Sequence, residues 1–94
     1  MRMTLSNRKL KEIGVIAHYY TKISVAIVNL KDTLTVGEKI LIQGGLYPFS
    51  TNFEQTVESM QIEHKNVDRA KSGQSIGLKV NNKVKKGDKI FRIV

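Results

Sequence analysis

Residues 70–94 read AKSGQSIGLKVNNKVKKGDKIFRIV, and this stretch predicts two β-strands joined by a short basic loop. The strands are Ser75–Val80 and Lys89–Val94, and the loop between them begins with two asparagines. A glycine precedes each strand, Gly73 the first and Gly87 the second. Because glycine adopts positive φ without a Cβ clash, it suits a sharp turn that delivers the chain into a strand. In the first strand, apolar residues alternate with polar or small ones, which is typical of a strand with one buried face.

The turn before the second of these strands has a counterpart upstream. Leu34–Ile40 and Val84–Ile90 share the spacing apolar-x-x-Gly-acid-Lys-Ile. In this pattern the apolar residue anchors the turn, the glycine reverses the chain and the isoleucine begins a buried run. The two copies are either an internal repeat or two turns that converged on the same chemistry. The residues assigned to structural turns are Gly37, Glu38, Gly73, Gly77, Gly87 and Asp88.

The preceding part of the chain predicts four further strands and no amphipathic helix. These strands are Ile13–Tyr20, Lys22–Leu30, Lys39–Gln43 and Asn52–His64. The second is rich in β-branched residues, and its alternation slips after Ile27, which predicts either a bulge or a twisted strand covered on both faces. The fourth carries a register break near Glu58, and its inward side chains are expected to be Phe53, Val57, Met60 and Ile62. A polar connection over residues 66–72 leads to the final strand pair.

Six strands separated by short turns indicate an all-β domain, a six-stranded closed barrel. Closure of the barrel would also remove exposed sheet edges. The barrel is predicted to span residues 12–94, behind a flexible basic segment formed by residues 1–11.

Size and composition indicate a single cytoplasmic domain. A chain of 94 residues folds as one domain and buries roughly 60–65% of its unfolded surface. It contains no cysteine, so neither a disulfide framework nor a thiolate metal site is available. No apolar run reaches the roughly 18 residues of a membrane span, and the basic start lacks the apolar core of a signal peptide.

The charge is strongly positive and unevenly distributed. Sixteen Lys and Arg against eight Asp and Glu give a formal charge of +8, which favours polyanionic partners. Residues 79–92 contain six basic residues and one acid, Asp88; the six are Lys79, Lys83, Lys85, Lys86, Lys89 and Arg92. A smaller basic cluster comprises Arg2, Arg8, Lys9 and Lys11. The alternative interpretation is a solvated lysine-rich surface without a partner.

Short motifs follow one another in a fixed order along the chain. They are Gly14-x-Ile16, Val36-Gly37-Glu38-Lys39-Ile40, Val57-x-Ser59-Met60, Ala70-x-x-Gly73-x-x-Ile76-Gly77-Leu78-x-Val80 and Val84-x-x-Gly87-Asp88-x-Ile90. This ordered series resembles the second domain of translational GTPases such as elongation factor Tu. The resemblance covers residues 12–94 and implies a Greek-key barrel in a stand-alone, elongation-factor-like protein. Glu38 departs from the aspartate usual in that family, so a weaker side-chain cap is expected at its turn.

The sequence gives no support to catalysis or cofactor binding. The phosphate-binding pattern G-x-x-x-x-G-K-[ST] is absent, so no nucleotide is expected. Metal binding needs three or four convergent ligands, whereas the only histidines are His18 and His64. No paired carboxylates or nucleophilic triad can be assigned. We therefore expect a non-enzymatic protein without metal or cofactor.

The resemblance together with the charge predicts binding of RNA (tRNA or rRNA) or of the ribosome, without a membrane partner. The candidate contacts are the six basic residues of 79–92 together with His18, Tyr20 and Lys22. Lysines would contact phosphates as point charges, and an aromatic ring could stack on an unpaired base. Tyr19, Tyr20, Tyr47 and Phe49 could instead plug the ends of the barrel.

Two other interpretations stay open at this point. The chain could be a protein-interaction module that docks on a GTPase or another enzyme, which an exposed apolar patch of Leu46, Tyr47 and Phe49 would favour. It could also be an accessory barrel related to the C-terminal domain of peptidase-like RNA-modifying enzymes. The salt dependence of binding distinguishes a protein-interaction module from an RNA-binding protein. The affinity for single-stranded RNA would fall with salt concentration, with a log–log slope of about −0.7 per phosphate contact.

Overall fold

The computed structural model describes residues 9–46 and 48–93, and within these residues the chain is all-β without a helix. Ten strands follow one another in chain order. They are β1 Leu10–Tyr20, β2 Val25–Leu30, β3 Leu34–Thr35, β4 Lys39–Gly44, β5 Thr51–Thr56, β6 Met60–Ile62, β7 Lys65–Val67, β8 Arg69–Ala70, β9 Ser75–Lys79 and β10 Lys89–Ile93. β1 begins inside the segment 1–11 that was predicted to be flexible. The described residues do not include 1–8 of that segment, Tyr47 or Val94.

The strands form one open, antiparallel sheet and one small ribbon. The sheet has eight strands in the order β5-β4-β10-β1-β2-β9-β6-β7, and β3 pairs with β8 in the ribbon. The prediction of a closed six-stranded barrel was therefore wrong, because no backbone ladder joins the end strands β5 and β7. The physical reason lies in the predicted fourth strand. Its chain leaves the β4 side of the sheet after Thr56 and crosses to β9, so its two halves, β5 and β6, stand at different places in the order.

The curvature of the sheet originates in its central strand. β1 carries one irregularity between Glu12 and Gly14 on its β10 side and another between Ile16 and His18 on its β2 side. An extra residue on one strand of a pair bends that strand and increases its twist. β2 itself alternates without a slip, with Ala26, Val28 and Leu30 buried on one face. The predicted bulge therefore belongs to β1 rather than to β2.

The core lies on the concave face of the curved sheet. Its fully buried side chains come from every part of the chain and include Ile13, Ile16, Leu34, Ile40, Ile42, Met60, Ile76, Leu78 and Ile90. Phe53 and Ile62, two of the four residues expected to point inward from the predicted fourth strand, are only partly buried against this core. Thr51 and Gln55 are buried in their place. Their hydroxyl and amide groups form hydrogen bonds there, which a hydrophobicity pattern does not register.

Three turns of the same geometry introduce β4, β9 and β10. In each, a glycine has φ near +90°: Gly37 at 98°, Gly73 at 89° and Gly87 at 92°. The residue after the glycine accepts a hydrogen bond through its side chain from the backbone N–H three residues earlier. The three bonds run from Thr35 N to Glu38 Oε1 (2.8 Å), from Lys71 N to Gln74 Oε1 (2.7 Å) and from Lys85 N to Asp88 Oδ2 (2.8 Å). The two related sequences are therefore members of a set of three.

Each turn is also held by the backbone of a buried apolar residue elsewhere in the fold. For Gly37 and Glu38 this residue is Val57, which accepts from Gly37 N and donates to Glu38 O at 2.8 Å each. Leu30 makes the same pair of bonds at Gly73–Gln74, and Ile16 makes it at Gly87–Asp88. The turns thus fix where three strands begin relative to their neighbours.

Two expectations for the turn residues differ from what is observed. Glu38 caps its turn at the same 2.8 Å as Asp88, so the longer side chain does not lose the bond. Gly77 lies in the middle of β9, paired with Ile27 and Gln61, and is not part of a turn.

Candidate functional site

Three of the six basic residues of 79–92 are held by neighbours of the opposite charge, namely Lys85, Lys89 and Arg92. Arg92 lies 3.3 Å from Asp32 Oδ2 and 3.2 Å from Glu38 Oε2, although its Nε is not aligned for a hydrogen bond to that carboxylate. Lys89 lies 3.5 Å from Glu12, which also pairs with Lys31. These side chains tie β10 to the strands beside it and are not free to bind a polyanion.

The two carboxylates at the centres of these ion pairs are stabilised in their charged forms. A hydrogen bond from Lys11, together with one from Thr33 N–H, lowers the pKa of Asp32 to about 2. A hydrogen bond from Lys31 holds the pKa of Glu12 below its ordinary value. Both groups therefore stay ionised and keep their cations in place at neutral pH.

Lys85 is compensated as well, whereas Lys83 is not. The Lys85 ammonium lies 2.5 Å from Thr51 Oγ1 and 3.6 Å from the buried carboxylate of Asp88. Gly44 and Gly45 leave room for this pair: a Cβ on Gly44 would lie 3.0 Å from the Asp88 Cα, and one on Gly45 would lie 3.2 Å from the Lys85 ammonium. Within the described part of the chain, neither Lys83 nor Lys86 has an ion-pair or hydrogen-bond partner.

The remaining predicted contacts gather at the turn between β1 and β2. His18 and Tyr20 make an edge-to-face ring contact with centroids 4.3 Å apart, Lys22 is exposed, and Lys79 reaches the Ile23 carbonyl at 3.5 Å. Tyr19 packs against the core, whereas Tyr20 is 48% exposed. The structure thus separates two neighbouring tyrosines, one structural and one available at the surface.

An apolar groove of about 430 Å³ lies beside this turn. Its lining comes from β2, β9, the β1–β2 turn and the β6–β7 turn, and comprises Tyr20, Ile23, Val25, Ile27, Gln61, Glu63, His64, Ser75, Ile76 and Gly77. Gly77 lacks a side chain between β2 and β6, which leaves the space open. At the rim, Glu63 and His64 have positive φ of 49° and 67°, which is uncommon for residues other than glycine.

A second concavity of about 380 Å³, here called the lysine cleft, lies on the other side of the turn. Its lining comprises Tyr19, Thr21, Phe49, Ser50, Thr51, Lys83, Val84 and Lys85. A shallow depression connects the groove and the lysine cleft. It shares Tyr20 and Ile23 with the groove, and Tyr19 and Thr21 with the cleft.

Exposed apolar side chains mark this end of the molecule. Phe49 is 78% exposed and Ile23 is 58% exposed, and Leu46, bonded through its carbonyl to Phe49 N, is 85% exposed. Among the described residues, only one other large apolar side chain besides these and Tyr20 is exposed, namely Leu10. Such a concentration is typical of surfaces that contact other molecules. Two members of the predicted apolar patch, Leu46 and Phe49, are therefore exposed, and the third, Tyr47, lies outside the described residues.

The sequence did not indicate the groove. Gly77 was interpreted as a turn residue, and Ile23 was placed inside a strand. The available signal was a glycine at an outward position of a strand otherwise filled by larger residues, which marks close approach or a recess.

Residues 9–46 and 48–93 contain neither a group of metal ligands nor a membrane-spanning helix. No three His, Asp or Glu side chains in these ranges are grouped so that they could hold a metal ion. No helix long and apolar enough to cross a membrane is found in them.

The fold is that of a small β-domain found at the C-terminus of a peptidase. Two crystal structures of the C-terminal domain of a Geobacillus thermoleovorans protein, described as a U32 peptidase, superpose with TM-scores of 0.77 and 0.76. Both are 21% identical to this chain, cover 85% and 87% of it, and are themselves covered to 96% and 90%. The likeness therefore spans nearly the whole of that domain.

Two relatives are similar in sequence. An uncharacterized protease of Methanocaldococcus jannaschii is 41% identical over 80 residues, which is 85% of this chain and 19% of the relative. A collagenase of Porphyromonas gingivalis is 31% identical over 81 residues, which is 85% of this chain and 22% of the relative. The chain thus spans about a fifth of the length of the curated relatives that it matches. No protein-family model matches the chain.

These findings overturn the resemblance to translational GTPases, and with it the predicted binding of RNA or the ribosome. The similar proteins are a protease and a collagenase, and the similar structures belong to a U32 peptidase domain rather than a translation-factor domain. The error has a physical cause, because the motifs that carried the resemblance are strand-initiating turns. This fold uses such a turn three times, so the pattern reports on turn chemistry and not on ancestry.

Proposed function

We propose that this chain is a non-catalytic β-domain of a U32-type peptidase, and that it holds polypeptide for a catalytic part located elsewhere. The observation that carries the proposal is the 41% identity to a protease over 85% of this chain, although the chain spans only 19% of that protease. Of the alternatives that the sequence left open, the one naming the C-terminal domain of peptidase-like enzymes agrees best with these relatives. None of them is described as acting on RNA.

The distribution of polar side chains supports a non-catalytic role. His18 and His64 are both exposed and line different concavities. The buried carboxylate of Asp88 caps a turn. Hydrolysis of a peptide bond needs an activated nucleophile with a base beside it, or a metal-bound water, and no group of side chains that could hold a metal ion is found among the described residues.

The apolar groove supports the second half of the proposal. An extended polypeptide presents side chains of one face at a spacing of about 6.6–6.8 Å. The recess above Gly77 would accept one such apolar side chain between Val25, Ile27 and Tyr20. Gln61 and Ser75 supply polar groups at its edges for the peptide backbone. Folded proteins expose few such segments, so a denatured substrate is the preferred ligand.

Gelatin, a denatured form of collagen, is a suitable probe because one relative is a collagenase. We expect the 94-residue chain to bind immobilised gelatin with micromolar affinity and to leave fluorescent gelatin and casein uncleaved. Gly77→Leu fills the recess and should weaken binding about tenfold or more, while Thr56→Leu places the same apolar side chain at an exposed position of β5 and should change nothing. Thermal unfolding of both variants checks that they are folded.

Three outcomes would reject parts of this proposal. Cleavage of either protein by the purified chain would contradict the non-catalytic role. Equal binding by wild type and Gly77→Leu, or no binding to gelatin at any tested concentration, would contradict the assignment of the groove. The cytoplasmic location predicted from the sequence stays a prediction.

A further inference from the structure

The lysine cleft combines an apolar surface with one uncompensated positive charge. Tyr19, Phe49 and Val84 supply the apolar lining. Two ammonium groups border it, but that of Lys85 lies against Thr51 and the Asp88 carboxylate. That of Lys83 has no partner among the described residues. The cleft therefore complements a ligand that carries an apolar group and a single negative charge.

A larger polyanion fits this arrangement less well. Nucleic acids gain affinity by neutralising several phosphates along a charged track. Here Lys89 and Arg92 are held in ion pairs, so the positive charge does not continue from the cleft along β10. A monoanionic group next to an apolar side chain matches the cleft in both charge and polarity.

Polypeptides present this combination at their carboxyl ends. When a peptidase adds water across a peptide bond, the C–N bond breaks, one fragment gains an α-carboxylate and the other gains an amine. Each cleavage thus creates a new carboxyl terminus whose last side chain stood next to the cut bond. The choice of this ligand rests on the proposed function, since only a domain that belongs to a peptidase encounters newly formed carboxyl termini at high local concentration.

We propose that the lysine cleft binds the free carboxyl terminus of a polypeptide ending in an apolar or aromatic residue. The terminal side chain packs between Phe49, Tyr19 and Val84, and the α-carboxylate accepts a hydrogen bond from the Lys83 ammonium. Hydroxyl groups of Thr21 and Ser50 line the same cleft and are further donors. The connecting depression lets the preceding residues run toward the groove above Gly77.

Two fluorescent peptides that differ only at their ends test this assignment. Both have the same six residues and end in phenylalanine, one with a free carboxylate and the other with an amide. Fluorescence anisotropy should show the carboxylate peptide binding about tenfold tighter, as expected for one charge-assisted hydrogen bond at an accessible site. Lys83→Gln should abolish this preference, whereas Phe49→Ala should weaken both peptides.

Lys86→Gln is the matched control, because Lys86 is equally unpaired and close in sequence but does not line the cleft. It should keep the preference. Equal affinity for the two peptides overturns the proposal. An equal effect of Lys83→Gln and Lys86→Gln, or displacement of the peptide by a short oligonucleotide at lower concentration than by the unlabelled peptide, also overturns it in favour of a general anion surface.

The two proposals fail in different ways. If Gly77→Leu leaves gelatin binding intact while the carboxylate preference depends on Lys83, the assignment of the groove as a polypeptide-binding site is rejected. The assignment of the lysine cleft is then retained. If gelatin binding depends on Gly77 but the two peptides bind equally, the cleft assignment falls alone.

Discussion

The side chain of Gln55 joins two strands that share no backbone ladder. It is 5% exposed; its amide donates to the Lys79 carbonyl at 2.9 Å and accepts from Asn81 N at 2.8 Å. Lys79 ends β9, whereas Gln55 lies on the end strand β5. One glutamine therefore replaces two ladder bonds at the place where the sheet curls on itself without closing. Sequence periodicity could not reveal this, because a polar residue at an inward position contradicts the pattern.

Gln55→Ala should lower the free energy of unfolding by about 1–2 kcal/mol, since it leaves a part-buried carbonyl and a part-buried N–H without partners. Chemical denaturation in urea measures the change. Gln43→Ala is the control. The side chain of Gln43 is exposed, and its amide donates a hydrogen bond to Asn52 at 3.3 Å. Loss of this side chain should change the free energy of unfolding by less than about 0.5 kcal/mol. Similar effects of the two substitutions would show that Gln55 does not hold the curled sheet.

Gly77 opens the apolar groove at a cost in the stability of the fold. Glycine in a strand interior loses more chain entropy on folding than alanine does, and Gly77 has no positive φ that would require it. A Cβ at this position would meet Val25 at 3.4 Å, an ordinary contact. Gly77→Ala should therefore raise the free energy of unfolding by about 0.5 kcal/mol, measurable by urea denaturation. A clear destabilisation would mean that the strand needs the glycine for packing rather than for the groove.

At the scale of elements, the fold rests on a turn used three times. The sequence showed two copies because Glu38 and Asp88 are both acids, but it hid the third, where Gln74 takes the same role. An amide oxygen accepts a backbone N–H as a carboxylate does, so the geometry is preserved while the apparent motif changes. Similarly, the strands were largely predictable from alternation, whereas the split of residues 52–64 into β5 and β6 was visible only as a break near Glu58.

Substitution of the three turn glycines tests whether the turns are equivalent. A Cβ at Gly37, Gly73 or Gly87 meets nothing within 4 Å, so each Gly→Ala change introduces only the conformational penalty of positive φ. We expect each to lower the free energy of unfolding by about 1–2 kcal/mol, opposite in sign to Gly77→Ala. Circular dichroism during thermal unfolding would rank the four variants. A neutral result at one turn would show that its positive φ is not required.

For the whole molecule, opposite charges bind the strands at one edge of the core. Asp32 follows β2 and contacts Lys11 from β1 and Arg92 from β10, while Glu12 contacts Lys31 and Lys89. The formal charge of +8 suggested a surface for polyanions. Four basic residues, Lys11, Lys31, Lys89 and Arg92, are instead paired with acids that are distant in the sequence, and pairing of this kind depends on strand order.

These pairs predict a dependence of stability on acid. The pKa of Asp32 in the folded chain is about 2, below its ordinary value of 3.8, so its ionised form stabilises the fold. This stabilisation is complete above the ordinary pKa and disappears as the pH falls through the folded one, that is, between about pH 4 and pH 2. Asp32→Asn should lower the melting temperature at pH 7 and have a much smaller effect at pH 2.

The exposed Asp68 supplies a control for the acid experiment. Asp68→Asn should leave the whole profile of melting temperature against pH unchanged. A difference between wild type and Asp32→Asn that stays constant from pH 7 to pH 2 would contradict the ionic role of Asp32.

The sequence by itself determined the longer strands and the glycines of all three turns, because alternation and glycine chemistry act between residues that are close along the chain. Only the tertiary structure decided that the sheet stays open, that three of the six basic residues of 79–92 are paired with acids, and that Gly77 and Lys83 border usable concavities. These features depend on which strands become neighbours. That choice is made by packing among residues such as Ile16, Val57 and Leu30, whose partners lie far away in the sequence.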